Sequence, residues 1–234
     1  GQTVVEKIVQ RHMTGGPRGR PVAAGDFVTV RPRHVMTHDN TAAVMKKFQG
    51  IGASRVDEPR QPIFALDHDI QNLSQANIAK YRAIEEFVEE QGIRFYPAGS
   101  GIGHQLMIER GHVLPGDLVV ASDSHSNMYG AVGALGTPVV RTDAAAIWAT
   151  GEFWWQVPRT VQVVLSGALP PGATGKDVII TLCGLYNRGE VLNAAVEFTG
   201  DGVEGLPIEA RMTISNMTTE WGALVGWFPA DEET

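Results

Sequence analysis

The sequence predicts an α/β fold with a mainly parallel sheet flanked by helices and a second, smaller α/β unit. Helical and strand patterns alternate through the first two-thirds of the chain, which favours parallel strands joined by helices. Two apolar runs, Ile63–Leu66 and Leu118–Ala121, lead into Asp67-His68 and Asp123-Ser124-His125. Continuous apolar runs are typical of strands covered on both faces, and ligands bind beyond the carboxyl ends of such strands. We therefore expect one shared site at this sheet edge.

The elements are predicted from their apolar periodicity and their flanking turn residues. The clearest helix follows the start signal Asn72-Leu73-Ser74 and ends at Gly92. The predicted helices are Val4–His12, Asn40–Phe48, Gln75–Gln91, Gly175–Leu185 and Ile208 to about Ala223. The predicted strands are Phe27–Val30, Ile63–Leu66, Ile93–Tyr96, Leu118–Ala121, Thr160–Leu165 and Ala195–Phe198.

A change of pattern after Trp154-Trp155-Gln156-Val157-Pro158 divides the chain into two predicted units. The first unit is 1–158 and the second is 159–234. The aromatic group Trp148, Phe153, Trp154 and Trp155 is expected to pack as a core at the border between them.

Composition limits the classes of function. The 234 residues are 43% hydrophobic and 19% charged, as in globular proteins. No apolar run approaches the roughly 20 residues that span a bilayer, so no membrane partner is expected. The net charge is −7 and the basic residues are mostly scattered, which gives nucleic-acid binding little support. The single cysteine, Cys183, lies in an apolar stretch and is predicted to be a buried small hydrophobe.

Four of the seven histidines stand beside an acid or a glycine turn. These are His38, His68, His104 and His125. A carboxylate next to an imidazole stabilises its charged form, which suits a proton donor or an anion-binding cation near neutral pH. Farther along, Asn216 and Glu220 are four residues apart and are predicted to share a helix face. Each of these features alone also fits a purely structural role.

Taken in order, the motifs resemble the aconitase superfamily, and within it the homoaconitase branch. They are Glu6-Lys7-Ile8, His38-Asp39-Asn40, Leu66–Asn72, Tyr96–Gly99, Gly101–Gln105, Ser122–Asn127, Arg141–Gly151 and Asn216–Ala223. The resemblance implies an aconitase-like N-terminal region and a hydro-lyase that converts homoaconitate to homoisocitrate in lysine biosynthesis through aminoadipate. It also implies a mitochondrial protein, although the sequence shows no transit peptide. Such enzymes use a [4Fe–4S] cluster whose open iron acts as a Lewis acid on the substrate.

The resemblance also implies roles for particular residues. The catalytic set is Asp67, His68, His104, Asp123, His125 and Glu220, and the substrate-binding set is His38, Ser124 and Asn216. In this assignment His68 donates a proton to the departing water, while His125 and Glu220 pair beside the open iron. Aconitase itself has glutamine at the position of His38, which favours the homoaconitase or isopropylmalate dehydratase branch.

The family's cluster cysteines lie in Ser-Cys-Thr-Asn and Cys-Gly-Pro-Cys stretches, and this chain contains neither. No cluster or other metal is therefore expected on this chain. The resemblance implies an N-terminal portion of a longer enzyme, with the remaining C-terminal domains and a small di- or tricarboxylate as partners. Alone, this chain is expected to be inactive.

Three alternatives stay open at this point. The first is an enzyme similar to the isopropylmalate dehydratase large subunit, which acts on a smaller and more apolar diacid. The second is a mononuclear zinc hydrolase whose ligands are Asp67, His68, His104, Asp123 and His125. The third is a binding module without catalysis.

Overall fold

Eleven strands form three sheets among the residues that the structure describes. The structure is a computed structural model that describes residues 1–232 and 234. In chain order the strands are β1 Met13–Gly15, β2 Phe27–Val30, β3 His34–Thr37, β4 Pro62–Ala65, β5 Arg94–Tyr96, β6 Leu118–Ala121, β7 Leu135–Pro138, β8 Phe153–Gln156, β9 Thr160–Val164, β10 Ala195–Thr199 and β11 Val225–Trp227.

Eight α-helices and one 3-10 helix connect these strands within the described residues. The α-helices are α1 Val4–His12, α2 Thr41–Gly50, α3 Gln75–Gln91, α4 Gly103–Glu109, α5 Arg141–Thr150, α6 Gly175–Leu185, α7 Asp201–Glu204 and α8 Ile208–Met217. The 3-10 helix is Ser126–Val132. No helix in the described part of the chain has both the length and the apolar character that crossing a membrane requires.

The main sheet has the order β5-β4-β3-β6-β7, and all its neighbouring strands are parallel. The chain steps from β3 to β4 to β5 in one direction and then returns to the other side of β3 for β6. The strand order therefore reverses between β3 and β6, and this is where open α/β sheets form a ligand crevice. The predicted mainly parallel α/β fold is confirmed.

Alternate residues of the central strands pack on opposite faces of the main sheet. One face carries Val35, Phe64 and Val120 against a core that includes Trp148 of α5, and the ring centroids of Phe64 and Trp148 are 4.8 Å apart. On the other face, Met36, Ile63 and Val119 pack with α4 and the 3-10 helix. Burial on both faces explains why β4 and β6 read as continuous apolar runs.

The remaining two sheets have three strands each. β1, β2 and β8 are antiparallel, whereas β11, β10 and β9 are parallel and pack with α6 and α8 around a second core. The division of the chain into 1–158 and 159–234 stays a prediction.

Several predicted elements match the structure residue for residue. These are the helices Val4–His12, Gln75–Gln91 and Gly175–Leu185 and the strands Phe27–Val30 and Leu118–Ala121. The prediction for α8 was too long, because the helix ends at Met217 and Thr218 turns back, its hydroxyl donating to the carbonyl of Ser215 at 2.7 Å. The central strand β3 and the edge strand β7 of the main sheet were not predicted.

Two packing predictions need correction. Trp154 was expected in a core, but it is 69% exposed and faces Phe27 on the antiparallel sheet. Cys183 was expected to be buried and is only half-buried, although burial still raises the pKa of its thiol. Alternating and continuous apolar patterns do not reveal which strand lies at the edge of a sheet. Trp154 belongs to β8, which is an edge strand.

A glycine contact connects the main sheet to the second core. Gly130 of the 3-10 helix accepts a hydrogen bond from the amide of Phe228, and a Cβ at this position would lie 1.7 Å from the carbonyl oxygen of Gly226 in β11. This contact joins two backbone segments, so no flexible side chain can move to make room for an added Cβ.

We expect Gly130→Ala to lower the free energy of unfolding by about 3 kcal/mol, because the added methyl group forces β11 away from the 3-10 helix. Gly184→Ala is the control, since a Cβ at that helical position meets no heavy atom within 4 Å. This control should raise stability by up to about 1 kcal/mol. Urea unfolding measures both changes, and equal stability of the two variants would contradict the role of the Gly130 contact.

Candidate active site

Three loops meet at the carboxyl edge of the main sheet. His38 follows β3, Asp67 and His68 follow β4, and Asp123 follows β6. These three strands are adjacent and parallel, so their ends place the loop residues side by side. The site therefore lies where the strand order reverses.

The buried carboxylate of Asp39 organises the loop after β4. One oxygen accepts the amides of His68 at 2.7 Å and Asp67 at 3.0 Å. The other oxygen accepts the amide of Asp69 at 3.2 Å and the hydroxyl of Tyr81. Burial raises the pKa of Asp39, but these donors outweigh burial and lower it, so the carboxylate stays ionised. Asp39 thus holds the Asp67-His68 pair in place.

His68 lies between two carboxylates. Its Nδ1 is 2.5 Å from Oδ1 of Asp67, and its Nε2 is 3.3 Å from Oδ2 of Asp123. The other oxygen of Asp67 accepts the amide of Gly103 at 2.6 Å, which fixes the carboxylate. Burial lowers the pKa of His68, but the hydrogen bond and charge of Asp67 and the charge of Asp123 raise it overall. His68 is half exposed and holds a proton close to solvent.

Asp123 and His104 form a second, more deeply buried pair. Nε2 of His104 is 2.8 Å from Oδ1 of Asp123, and the hydroxyl of Tyr129 lies 3.0 Å from Nδ1 of His104. Burial raises the pKa of Asp123, but the hydrogen bond and charge of His104, together with the amide of His125, lower it well below its ordinary value. An ionised Asp123 can only accept, so Nε2 of His104 donates the hydrogen bond between them.

His38 stacks on His68 with ring centroids 3.9 Å apart. Its Nε2 is 3.8 Å from Oδ2 of Asp123. Burial and the positive charge of His68 lower the pKa of His38. Two adjacent cations repel each other, so a neutral His38 accompanies a protonated His68.

His125 and Glu220 form the third pair. Nε2 of His125 is 2.7 Å from Oε1 of Glu220, while the hydroxyl of Ser124 lies 3.2 Å from Nδ1. The hydroxyl of Thr219 donates to the carbonyl oxygen of Ser124 at 2.7 Å, which ties the segment after α8 to the loop after β6. This pair is partly exposed and opens toward solvent.

Asn216 and Glu220 do not share the predicted continuous helix face, because α8 ends at Met217. The amide of Asn216 contacts Sδ of Met128 at 3.8 Å and has no recorded hydrogen bond to the imidazole–carboxylate pairs among the described residues. The structure nevertheless brings Glu220 to His125, through the turn that follows α8 rather than through helical spacing.

Sequence reasoning missed three residues that shape the site. Asp39 and Tyr81 position the loop after β4, and the hydroxyl of Tyr129 lies 3.0 Å from Nδ1 of His104. Asp39 stands next to His38, so its position offered a signal. Tyr81 lies on a predicted helix face as an ordinary core residue, and its role appears only once α3 packs beside the loop.

One group of side chains has the spacing of a metal site. Ligand atoms of His38, Asp39, Asp67 and His68 all lie within 4.8 Å of one another. The Asp39 oxygens already accept three amides and a hydroxyl, and those of Asp67 accept further donors. These hydrogen bonds are what hold the loop in shape, so a metal ion here would have to compete with them.

Comparison with known proteins adds to this geometry. Residues 6–234 match the model of the Aconitase family (aconitate hydratase). The chain belongs to the aconitase family. The mitochondrial homoaconitase of Cryptococcus neoformans is 62% identical over 232 residues, and the matched region is 99% of this chain and 32% of that protein. The homoaconitases of Kluyveromyces lactis and Yarrowia lipolytica are 59% and 60% identical over 231 residues, covering 99% of this chain and 33% and 34% of theirs. The chain thus spans about a third of the length of these curated relatives.

The donor set of this aconitase-family chain does not suit an iron–sulfur cluster. Such clusters are held mainly by cysteine thiolates. The only cysteine, Cys183, lies in α6 and packs against the second core. The residues of the chain do not fit the cluster as its ligands.

We expect Asp67→Asn to lower the pKa of His68, because it removes the charge and the acceptor that favour the imidazolium ion. Asp69→Asn is the control, since it removes the same charge two residues away without contacting His68. Titration of the ring nitrogens by NMR measures the pKa in each variant. An unchanged pKa in Asp67→Asn would contradict the assigned pairing.

The raised pKa of His68 also makes the free energy of unfolding depend on pH. The folded state binds the His68 proton more tightly than the unfolded chain, so this proton stabilises the fold below the unfolded pKa of about 6.5. The contribution is lost as the pH rises through the higher folded pKa of His68. Asp67→Asn should therefore flatten the stability profile between about pH 6.5 and the folded pKa of His68, as measured by urea unfolding at a series of pH values.

Proposed function

We propose that this chain supplies one side of the active site of a hydro-lyase that adds water reversibly to homoaconitate and forms homoisocitrate. The observation that carries the proposal is the convergence of three imidazole–carboxylate pairs at the point where the strand order reverses. Identity of 59–62% to homoaconitases over nearly the whole chain supports the choice of substrate. That these relatives are mitochondrial homoaconitases also supports a mitochondrial location and a place in lysine biosynthesis through aminoadipate.

His68 is the proposed acid. Its proton is held between Asp67 and Asp123, close to solvent, and the raised pKa favours the protonated form. In the dehydration direction His68 passes this proton to the departing hydroxyl group, which leaves as water. In the hydration direction it takes a proton from the water that adds to the double bond.

The other residues orient and bind. His104 and Asp123 hold one another in place through their hydrogen bond, and Ser124 and His38 present polar atoms to the substrate beside them. His125 with Glu220 offers a second imidazole–carboxylate pair at the open side of the site, and Asn216 is the proposed third substrate contact. The base that removes the carbon-bound proton belongs to a part of the enzyme outside these 234 residues.

We further propose that the whole enzyme holds a [4Fe–4S] cluster, with cysteine ligands from outside this chain. The single cysteine here is the basis for that assignment. The remaining domains of the enzyme are then the partners of this chain, and the chain alone is inactive.

We expect His68→Asn in the longer enzyme to lower kcat by about 100- to 10,000-fold with little change in KM, because general acid catalysis typically contributes that much. The loss of ultraviolet absorbance of the conjugated double bond measures hydration. Homoaconitate, aconitate and isopropylmaleate are compared, and preference for isopropylmaleate would favour the dehydratase alternative. Full activity of His68→Asn would overturn the assigned role, and turnover by the 234-residue chain alone would overturn its proposed inactivity.

A mononuclear metal hydrolase is the second candidate, favoured by the four ligand atoms of His38, Asp39, Asp67 and His68 within 4.8 Å. The hydro-lyase proposal expects no stoichiometric metal on this chain. Elemental analysis after dialysis against zinc decides between them. One zinc ion per chain that is lost in His68→Asn would favour the hydrolase.

A further inference from the structure

The proposed site is rich in negative charge. Three aspartates and one glutamate lie around the imidazoles, and two of the aspartates have pKa values held below the ordinary range. A di- or tricarboxylate carries two or three further negative charges. Protonated His68 offsets only part of this charge. Binding such a substrate therefore requires permanent cations close to the site.

A cleft of about 690 Å³ opens beside Asp123, Ser124 and His38 and supplies two such cations. Lys47, in the last turn of α2, and Arg141, the first residue of α5, line its far part. Its volume lies within the usual range for small-molecule sites.

Both cations are unpaired. Among the described residues, neither Lys47 nor Arg141 takes part in an ion pair or a side-chain hydrogen bond. Some basic side chains elsewhere are neutralised by acids, as Arg20 is by Asp26 and Arg33 by Asp117. A cation that lines a cleft without a partner is available to an anion that enters it.

The backbone places Arg141 a short distance from the reacting groups. Pro138 pairs with Ala121 at the end of β7, and the amide of Val139 donates to the carbonyl of Ala121 at 2.9 Å. Asp123 is two residues beyond Ala121, and Arg141 is three residues beyond Pro138 on the adjacent strand. The intervening Val139 and Val140 also line the cleft and offer an apolar wall. This wall suits the methylene groups that separate one carboxylate from the others.

We propose that Lys47 and Arg141 form a carboxylate-binding subsite. It takes the carboxylate that lies farthest from the reacting carbons, and Arg141 presents the planar donor pair that matches a carboxylate. The subsite rests on the proposed function and specifies its substrate class. The enzyme selects acids with an additional carboxylate at the end of a short methylene chain.

The test uses two acids that differ only in that group, butane-1,2,4-tricarboxylate and butane-1,2-dicarboxylate. Each is titrated into the 234-residue chain and followed through the ring signals of His68 and His104 by NMR. We expect the tricarboxylate to bind roughly tenfold more tightly, the sum of two partly exposed charge pairs. In the double variant Lys47→Gln/Arg141→Gln this ratio should fall to near one, with dicarboxylate binding little changed.

A matched control distinguishes a local effect of Lys47 and Arg141 from a general effect of the net charge. Lys46→Gln/Arg110→Gln removes the same two charges from exposed residues that do not line the cleft, and it should keep the tenfold ratio. Equal ratios in the wild type and the Lys47/Arg141 variant, with ring signals still shifting, would overturn the subsite and leave the proposed function intact. If neither acid moves the ring signals of the wild type, both the subsite and the proposed function fail.

Discussion

The parallel alignment of β3, β4 and β6 is the constraint on which the site depends. Side chains that are 28 to 85 residues apart in sequence meet because these three strands end at the same edge. β3 occupies the centre of this arrangement, with β4 on one side and β6 on the other. If β3 shifted by one residue, His38 would lose its place over His68, and Asp39 would no longer reach the amides of the next loop.

Alignment alone does not decide which groups carry protons. Asp39 and Asp123 stay ionised because each accepts several hydrogen bonds. Asp67, with the charges of Asp123 and Asp39, raises the pKa of His68, while burial and the charge of His68 lower that of His38. Two adjacent imidazoles are thus driven into opposite protonation states by their surroundings. Environments that separate the pKa values of neighbouring groups are typical of acid–base chemistry.

The second core contributes to the site by positioning the segment that carries Glu220. The 3-10 helix after Asp123 packs against β11 at Gly130, and the buried amide of Asn127 donates to the hydroxyl of Thr218 at 2.8 Å. These contacts bring the turn after α8 to His125, so Glu220 reaches the site from a different sheet. The open side of the His125–Glu220 pair and the neighbouring cleft, which Lys47 and Arg141 line, leave room for a polyanion.

The sequence by itself determined the fold class, the two buried strands and most of the chemistry at their ends. The apolar runs that stop at Asp67-His68 and Asp123-Ser124-His125 reflect burial on both sheet faces. Such burial can be predicted from the residue types alone. Only the tertiary structure decided the strand order, the anchoring of the loop by Asp39 and Tyr81, and the end of α8 before Glu220. β3 is four residues long and carries little periodicity, so its pairing depends on partners distant in the chain. Long-range pairing and hydrogen bonds of this kind leave no local pattern, because each is set by packing rather than by neighbouring residues.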